Sequence, residues 1–360
     1  MAEYSSNPVK IIDVAADSPS PNRVPSPNSA PPPHTAVGRM RGAAVAIGNF
    51  DGAHLGHMRL IATLTRSAAR LGLRALAYTF GDHPQNVLPG SGGVKLLTSA
   101  EQKSELLSKT AVDLIYIERF DREFASLSPE EFIRQKMARQ FNARLIVVGS
   151  GFRFGSRASG TVETFRALGQ SCGYAVEEVP PYAVGIITGG GARESITVSS
   201  SAIREYIRTG RVDMAARLLG RLYSLSGVAV DGVDPPACAV TPACAAPSAN
   251  GCMPPAYNRK PPVDNVRQPV YIICRTNRGY KPSAVLLPDA RTAVPRPGKY
   301  AAAVKTGGYF YKAVAEVYGP DADNGGPFAC RGGCRIEIFL KDNDMDLHGA
   351  QIEIFFVKTI

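Results

Sequence analysis

The string Ile47-Gly48-Asn49-Phe50-Asp51-Gly52-Ala53-His54-Leu55-Gly56-His57 concentrates the groups in this chain that could do chemistry. His54 and His57 are three residues apart, so both imidazoles can turn toward one spot at the start of a helix. Such a helix start offers free backbone N–H groups and a positive dipole end to an anion. Gly56 would let a phosphate approach the backbone. Imidazoles donating to phosphoryl oxygens would stabilise charge that builds up during group transfer. The structural alternative is a tight turn with two surface histidines; the Gly-Asn-Phe-Asp-Gly lead-in at a strand-to-helix junction favours the anion site. A second string, Val198-Ser199-Ser200-Ser201-Ala202-Ile203-Arg204, places serines at a helix start, where they would cap it. Arg204, one turn on, could point back and clamp a phosphate of the same ligand.

The elements that must hold these residues follow from hydrophobic periodicity. Ala43–Gly48 reads as a buried strand and His57–Leu71 as an amphipathic helix. Leu73–Phe80, Val112–Ile117, Leu145–Val148 and Tyr174–Val179 read as further strands. Helices are expected from Thr98-Ser99-Ala100-Glu101, which has capping-box form, and from Ser128-Pro129, with proline at the first helical position. More follow over Thr161–Cys172, Ser200–Arg208 and Val212–Leu219. This β-α alternation predicts a Rossmann-like parallel sheet with helices on both faces. Beyond Tyr271 the rhythm changes. Tyr300–Val304, Tyr309–Val317, Cys334–Leu340 and Ile352–Val357 are short strands, which with Ser224–Val230 predict a small antiparallel barrel.

Of 28 prolines, seven fall in Ser18–Pro33 and nine in Asp231–Val270, segments too solvated to bury a core. Expected domains are therefore a disordered leader at 1–40, an α/β domain at 41–222, and a barrel domain at 223–360 interrupted by a Pro- and Cys-rich insertion at 231–270. A hydrophobic fraction of 44% with 20% charged residues excludes a wholly disordered or collagen-like chain. No apolar run reaches the roughly 18–20 residues of a membrane span, and Met1–Asp17 lacks the form of a secretory signal. The net charge of +10 suits nucleic acid, anionic lipid or phosphorylated small molecules. The basic residues are scattered rather than striped, which disfavours nucleic acid. Seven cysteines without a C-x-x-C fit a reducing compartment, so a cytoplasmic protein is expected, of unassigned oligomeric state.

The two strings resemble the HxGH-type nucleotidylyltransferases. Phe80-Gly81-Asp82-His83-Pro84 and Val148-Gly149-Ser150-Gly151-Phe152-Arg153-Phe154-Gly155 narrow the resemblance to the bacterial bifunctional riboflavin kinase/FAD synthetase family. Leu127-Ser128-Pro129-Glu130-Glu131-Phe132 and Leu219-Gly220-Arg221-Leu222-Tyr223 are similar to family segments as well. The resemblance covers roughly residues 42–230. It implies adenylyl transfer, in which the FMN phosphate attacks the α-phosphorus of ATP with Mg²⁺ and pyrophosphate leaves. By this resemblance His54, His57 and Arg204 are catalytic. The ATP site comprises Gly48, Asn49, Phe50, His54, Gly56, His57, Ser199, Ser200 and Arg204, and the FMN site His83, Pro84 and Phe152. Phe154 is read equally as core. Gly151 departs from the family's Asp or Asn and leaves out one side-chain contact to the flavin nucleotide.

Arg278–Pro288, Pro297–Ala301 and Ile336–Leu340 with Asp346–Gly349 resemble riboflavin kinase segments more weakly. They imply Glu337 as base toward the riboflavin hydroxyl and Ser283 as a Mg²⁺ ligand. Val285 stands where the family has Asn, and Tyr318-Gly319-Pro320-Asp321 replaces an expected Arg-Pro-Thr string, so phosphoryl transfer is expected to be weak or lost. Two alternatives remain: a nucleotidylyltransferase for another phosphorylated metabolite, and a flavin-binding or scaffold protein with decayed catalysis. Cys330, Cys334 and His348 are spaced loosely for zinc but lack an evident fourth ligand.

Overall fold

The computed structural model describes residues 10–13, 42–88, 93–187, 193–231, 271–277, 280–286, 291–319, 334–340, 347 and 350–360. The chain divides into two compact units, Met1–Tyr223 with Arg291–Ala293, and Ser224–Ala290 with Val294–Ile360.

The first unit is built on a six-stranded parallel sheet. Its strands are β1 (Lys10–Asp13), β2 (Ala43–Ile47), β3 (Arg74–Phe80), β4 (Leu114–Glu118), β5 (Ala143–Gly149) and β6 (Ala175–Val179), in the order β1-β4-β3-β2-β5-β6. Every residue of β2 is buried, as expected of a central strand covered on both faces. Its alternation divides the core. Ala43, Val45 and Ile47 join one cluster with Tyr78, Phe132 and Phe165. Ala44 and Ala46 join the other, with Leu60, Ile61 and Leu64 of helix α1 (Leu55–Leu71). The two alanine methyl groups let that helix lie close to the sheet.

The helices after β3 are α2 (Pro84–Val87), α3 (Ala100–Ser108), α4 (Arg122–Ser126) and α5 (Pro129–Phe132), the last running on as a π-helix over Ile133–Gln140. Then come α6 (Val162–Cys172), α7 (Ser200–Arg208) and α8 (Val212–Leu219), with the antiparallel hairpin β7 (Ala183–Ile187) and β8 (Arg193–Thr197) ahead of α7. Periodicity did not signal that hairpin. Its strands are largely exposed, so they carry little of the hydrophobic alternation that marks a half-buried strand.

Two expectations are corrected. Lys10–Asp13, within the stretch expected to be a leader, pairs in parallel with β4; Ile12 is buried, and that contact orders a segment that precedes the prolines. The capping box of α3 is shifted by one residue. Ser99 accepts from the Gln102 amide and Gln102 reaches back to the Ser99 amide, which leaves Thr98 for another task.

The second unit is a closed barrel of β9 (Tyr223–Asp231), β10 (Tyr271–Asn277), β11 (Tyr280–Leu286), β12 (Gly298–Thr306), β13 (Tyr309–Tyr318), β14 (Arg335–Leu340) and β15 (Gln351–Thr359). Its order is β10-β11-β14-β13-β12-β15-β9. Pairing is antiparallel from β10 to β15, whereas β9 and β10 run parallel. The segments 14–41 and 232–270 lie outside the described residues, and with them the expected leader prolines and nearly all of the insertion.

Candidate active site

From β2 the chain moves outward through β3 and β4, then returns past β2 to β5 and β6. The direction of winding therefore switches between β2 and β5, and at such a switch the loops leaving the strand ends diverge and open a crevice. A cavity of about 1080 Å³ lies there. It is bounded by Gly48 and Asn49 after β2, Phe80 at the end of β3, Gly149 at the end of β5 and Val179 at the end of β6. Eleven of the expected ligand-binding residues line it: Gly48, Asn49, His54, Gly56, His57, His83, Pro84, Phe152, Ser199, Ser200 and Arg204. The two imidazoles and the distant guanidinium thus share one cavity.

The loop between β2 and α1 is held in an unusual shape. Phe50 and Ala53 have φ of 48° and 38°, a region costly for residues with a Cβ, and many bonds hold it. Asp51 Oδ1 accepts from the amides of Leu97 at 2.9 Å and Thr98 at 3.1 Å. The Gly52 amide donates to Thr98 Oγ1 at 3.0 Å, the task the shifted capping box leaves to that residue. Arg221 donates to the carbonyls of Gly52 at 2.7 Å and Ala53 at 3.3 Å. Phe50 does not line the cavity. Its ring is buried and meets the His57 ring edge-on at 5.3 Å, so it supports the imidazole from behind.

His54 caps α1: its Nδ1 accepts from the His57 amide at 3.2 Å. An imidazole that accepts at Nδ1 carries its proton at Nε2, so His54 is a neutral donor. The two histidine rings stack 3.6 Å apart, 12° from parallel. A Cβ at Gly56 would lie 3.2 Å from the His54 ring, so glycine is what lets the first ring lie there. Burial pulls His54 down to about 4, partly opposed by Asp51. Burial also holds His57 well below the usual range, with His54 and Lys103 adding to the effect. Among the described residues His57 Nδ1 is buried without a hydrogen-bond partner.

Arg204 extends from α7, whose start is capped by Ser199 Oγ accepting from the Ala202 amide. The guanidinium donates to Asp51 Oδ2 at 2.6 Å and, through Nε, to the Lys95 carbonyl at 2.6 Å. Ser200 Oγ donates to the Asp51 carbonyl at 2.9 Å. The His54–His57 string and the Ser199–Arg204 string are therefore tied through Asp51, which sequence reasoning did not single out. Its place in the Gly-Asn-Phe-Asp-Gly string was the available signal. Lys103 was missed as well, because a lysine in an amphipathic helix ordinarily reads as surface.

At the other end His83 caps α2, with Nδ1 accepting from the Gln85 amide at 3.3 Å and Nε2 lying 3.3 Å from the Asn49 amide. Burial, followed by Arg204, lowers this imidazole too, with Asp51 opposing. Phe120, Phe124 and Phe152 line the apolar part of the cavity. Phe154 is buried in the core and stacks on Phe165 at 4.1 Å. A Cβ at Gly151 would meet nothing within 4 Å.

Residues 38–188 match the family model described as FAD synthetase. This part of the chain is therefore similar to the FAD synthetase family. Proteins named bifunctional riboflavin kinase/FMN adenylyltransferase from Buchnera aphidicola, Escherichia coli K12 and Bacillus subtilis are 30%, 27% and 32% identical to this chain over 190, 191 and 193 residues. Each match covers 53% of this chain, and 58%, 58% and 57% of those proteins. The matched part of the chain thus spans less than two thirds of the relatives' length. A crystal structure described as a macrolide-efflux protein from Streptococcus pneumoniae resembles the chain at a TM-score of 0.62 and 24% identity, covering 89% of this chain and 86% of that one; that likeness is one of fold. No helix among the described residues is long and apolar enough to cross a membrane.

Glu337 belongs to the second unit. It is buried on β14, where Tyr318 Oη donates to its Oε2 at 3.2 Å. Val285 stands directly opposite it in the β11–β14 register. Ser283 lies on the same strand, but its side chain is outside the described residues, as are Cys330, Asp346, His348 and the insertion cysteines Cys238, Cys244 and Cys252.

Proposed function

We propose that the chain is an FMN adenylyltransferase, forming FAD and pyrophosphate from FMN and Mg-ATP. The observation that carries this reading is the meeting of His54, His57 and Arg204 in one cavity at the sheet's switch point, with both histidines inside the segment that matches the FAD synthetase model. An FMN phosphate oxygen attacks the α-phosphorus, the bond to the β-phosphate oxygen breaks, and pyrophosphate leaves with its electron pair. No covalent help from the protein is needed; positioning and charge neutralisation supply the rate. The triphosphate lies along Gly48, Asn49 and the start of α1, where His54 donates through Nε2. Arg204, already aligned by Asp51, turns its guanidinium to the departing phosphates. Mg²⁺ enters as part of the Mg-ATP substrate. The flavin occupies the apolar end, against Phe152 and beside His83 and Pro84.

The test is FAD formation by the purified full chain supplied with FMN and Mg-ATP, followed by chromatography. Replacing His57 by Ala should lower kcat about a hundredfold, the scale seen when one preorganised donor is removed. An unchanged rate would sink the role given to the motif.

For the barrel we propose a riboflavin kinase-like unit with weak or absent phosphoryl transfer. Glu337 is retained, but Val285 opposite it brings no oxygen for Mg-ATP. The location proposed for the whole protein is the cytoplasm.

A further inference from the structure

Helix α3 sends a lysine inward. Lys103 is 7% exposed, and its ammonium donates to two main-chain carbonyls, Asn49 O at 3.2 Å and Phe80 O. These carbonyls sit at the carboxyl ends of adjacent strands, β2 and β3. One leads to the His54–His57 loop, the other to His83. Thr79 Oγ1 donates to the same Asn49 carbonyl at 3.1 Å. A buried ammonium costs desolvation energy unless its donors are used, so a lysine kept here serves something that a packed apolar residue would not. We propose that Lys103 is a positioning residue for adenylyl transfer: it ties the His54–His57 loop to the His83 loop and holds a fixed positive charge behind His57 and His83. The proposal rests on the adenylyl-transfer reading.

The charge has a consequence for the imidazoles. Lys103 helps keep His57 and His83 neutral, so that each can present one donor and one acceptor at neutral pH. The other charged groups facing these rings are His54 for His57, and Arg204 and Asp51 for His83. Asp82 shares the small pocket beside Lys103 with His83 and Asp51, and it is itself paired with Arg291 at 3.5 Å. His54 is governed by burial, Asp51, Arg221 and Arg204 instead, and so serves as an internal reference.

The experiment compares the full-length wild type with K103M, K103Q and K103R. Histidine resonances are followed by NMR through a pH titration and assigned by single His→Gln variants, and FAD formation is measured in parallel. In the two neutral variants the midpoints of His57 and His83 should rise while that of His54 stays. The acid limb of the rate profile should move to higher pH, and kcat should fall about tenfold to a hundredfold through lost alignment. K103R should keep the wild-type midpoints. Folded neutral variants with unmoved midpoints and rates would overturn the proposal. So would failure of both to fold while K103R folds, since Lys103 would then serve folding alone. If the wild type itself makes no FAD, the functional reading fails, and the titration still reports separately on the charge.

Discussion

At the scale of single residues, the site depends on imidazoles that stay neutral in a buried place. His54 titrates at about 4 in the folded chain against 6.5 for the free side chain. Between those values the unfolded chain binds more protons than the folded one, so stability rises with pH across that window and is lost as pH falls through it. The separation corresponds to about 3 kcal/mol. A melting series from pH 7 down to pH 4 should show a falling Tm, and His54→Gln should flatten that slope; an equally steep slope in the variant would count against the burial argument. Gly151 poses the opposite question. Open space surrounds its missing Cβ, so Gly151→Asn should leave Tm unchanged and lower the KM for FMN by supplying the contact its relatives are expected to make. A raised KM would show that the pocket uses this space for the flavin itself.

At the scale of elements, the start of α1 is set from outside by the end of α8. Gly220 caps α8 with φ of 75°, and a Cβ there would lie 2.5 Å from Leu55 Cδ2, the first residue of α1. Replacing Gly220 by Ala should therefore cost about 1–2 kcal/mol, combining a left-handed backbone with the displaced leucine. It should also reduce kcat, because the shift passes directly to His54 and His57. Denaturant melts with parallel kinetics would check both, and loss of stability without loss of rate would separate the cap from the site. Strands β2 to β6 and the longer helices were legible because central parallel strands are largely apolar and helices repeat their apolar faces, whereas β1, β10 and β11 were not read as strands. The largely exposed β7–β8 hairpin was not legible either, since few of its positions are buried and the pattern is too short to register. The one-residue shift of the α3 capping box depended on Thr98 having a long-range partner in Gly52, which local spacing does not contain.

At the scale of the whole molecule, the two units make separate predictions. With FMN and Mg-ATP the chain should make FAD. With riboflavin and Mg-ATP it should make little FMN, because the strand position opposite Glu337 holds valine. Comparable rates from the two substrates would refute the reading of the barrel. In that assay Val285→Asn should raise FMN formation if the missing oxygen is the main defect.

The order of the motifs, the β-α alternation and the choice of candidate anion-binding residues were set by local sequence, since each depends on neighbours within a helical turn or a strand repeat. Tertiary structure decided the rest. It showed that residues about 150 positions apart, Asp51 and Arg204, meet at 2.6 Å. It placed Phe50 behind the site rather than in it, and turned Lys103 inward. Those outcomes depend on how strand ends and helix starts come together at a switch point, and long-range packing of that kind leaves no periodic trace along the chain.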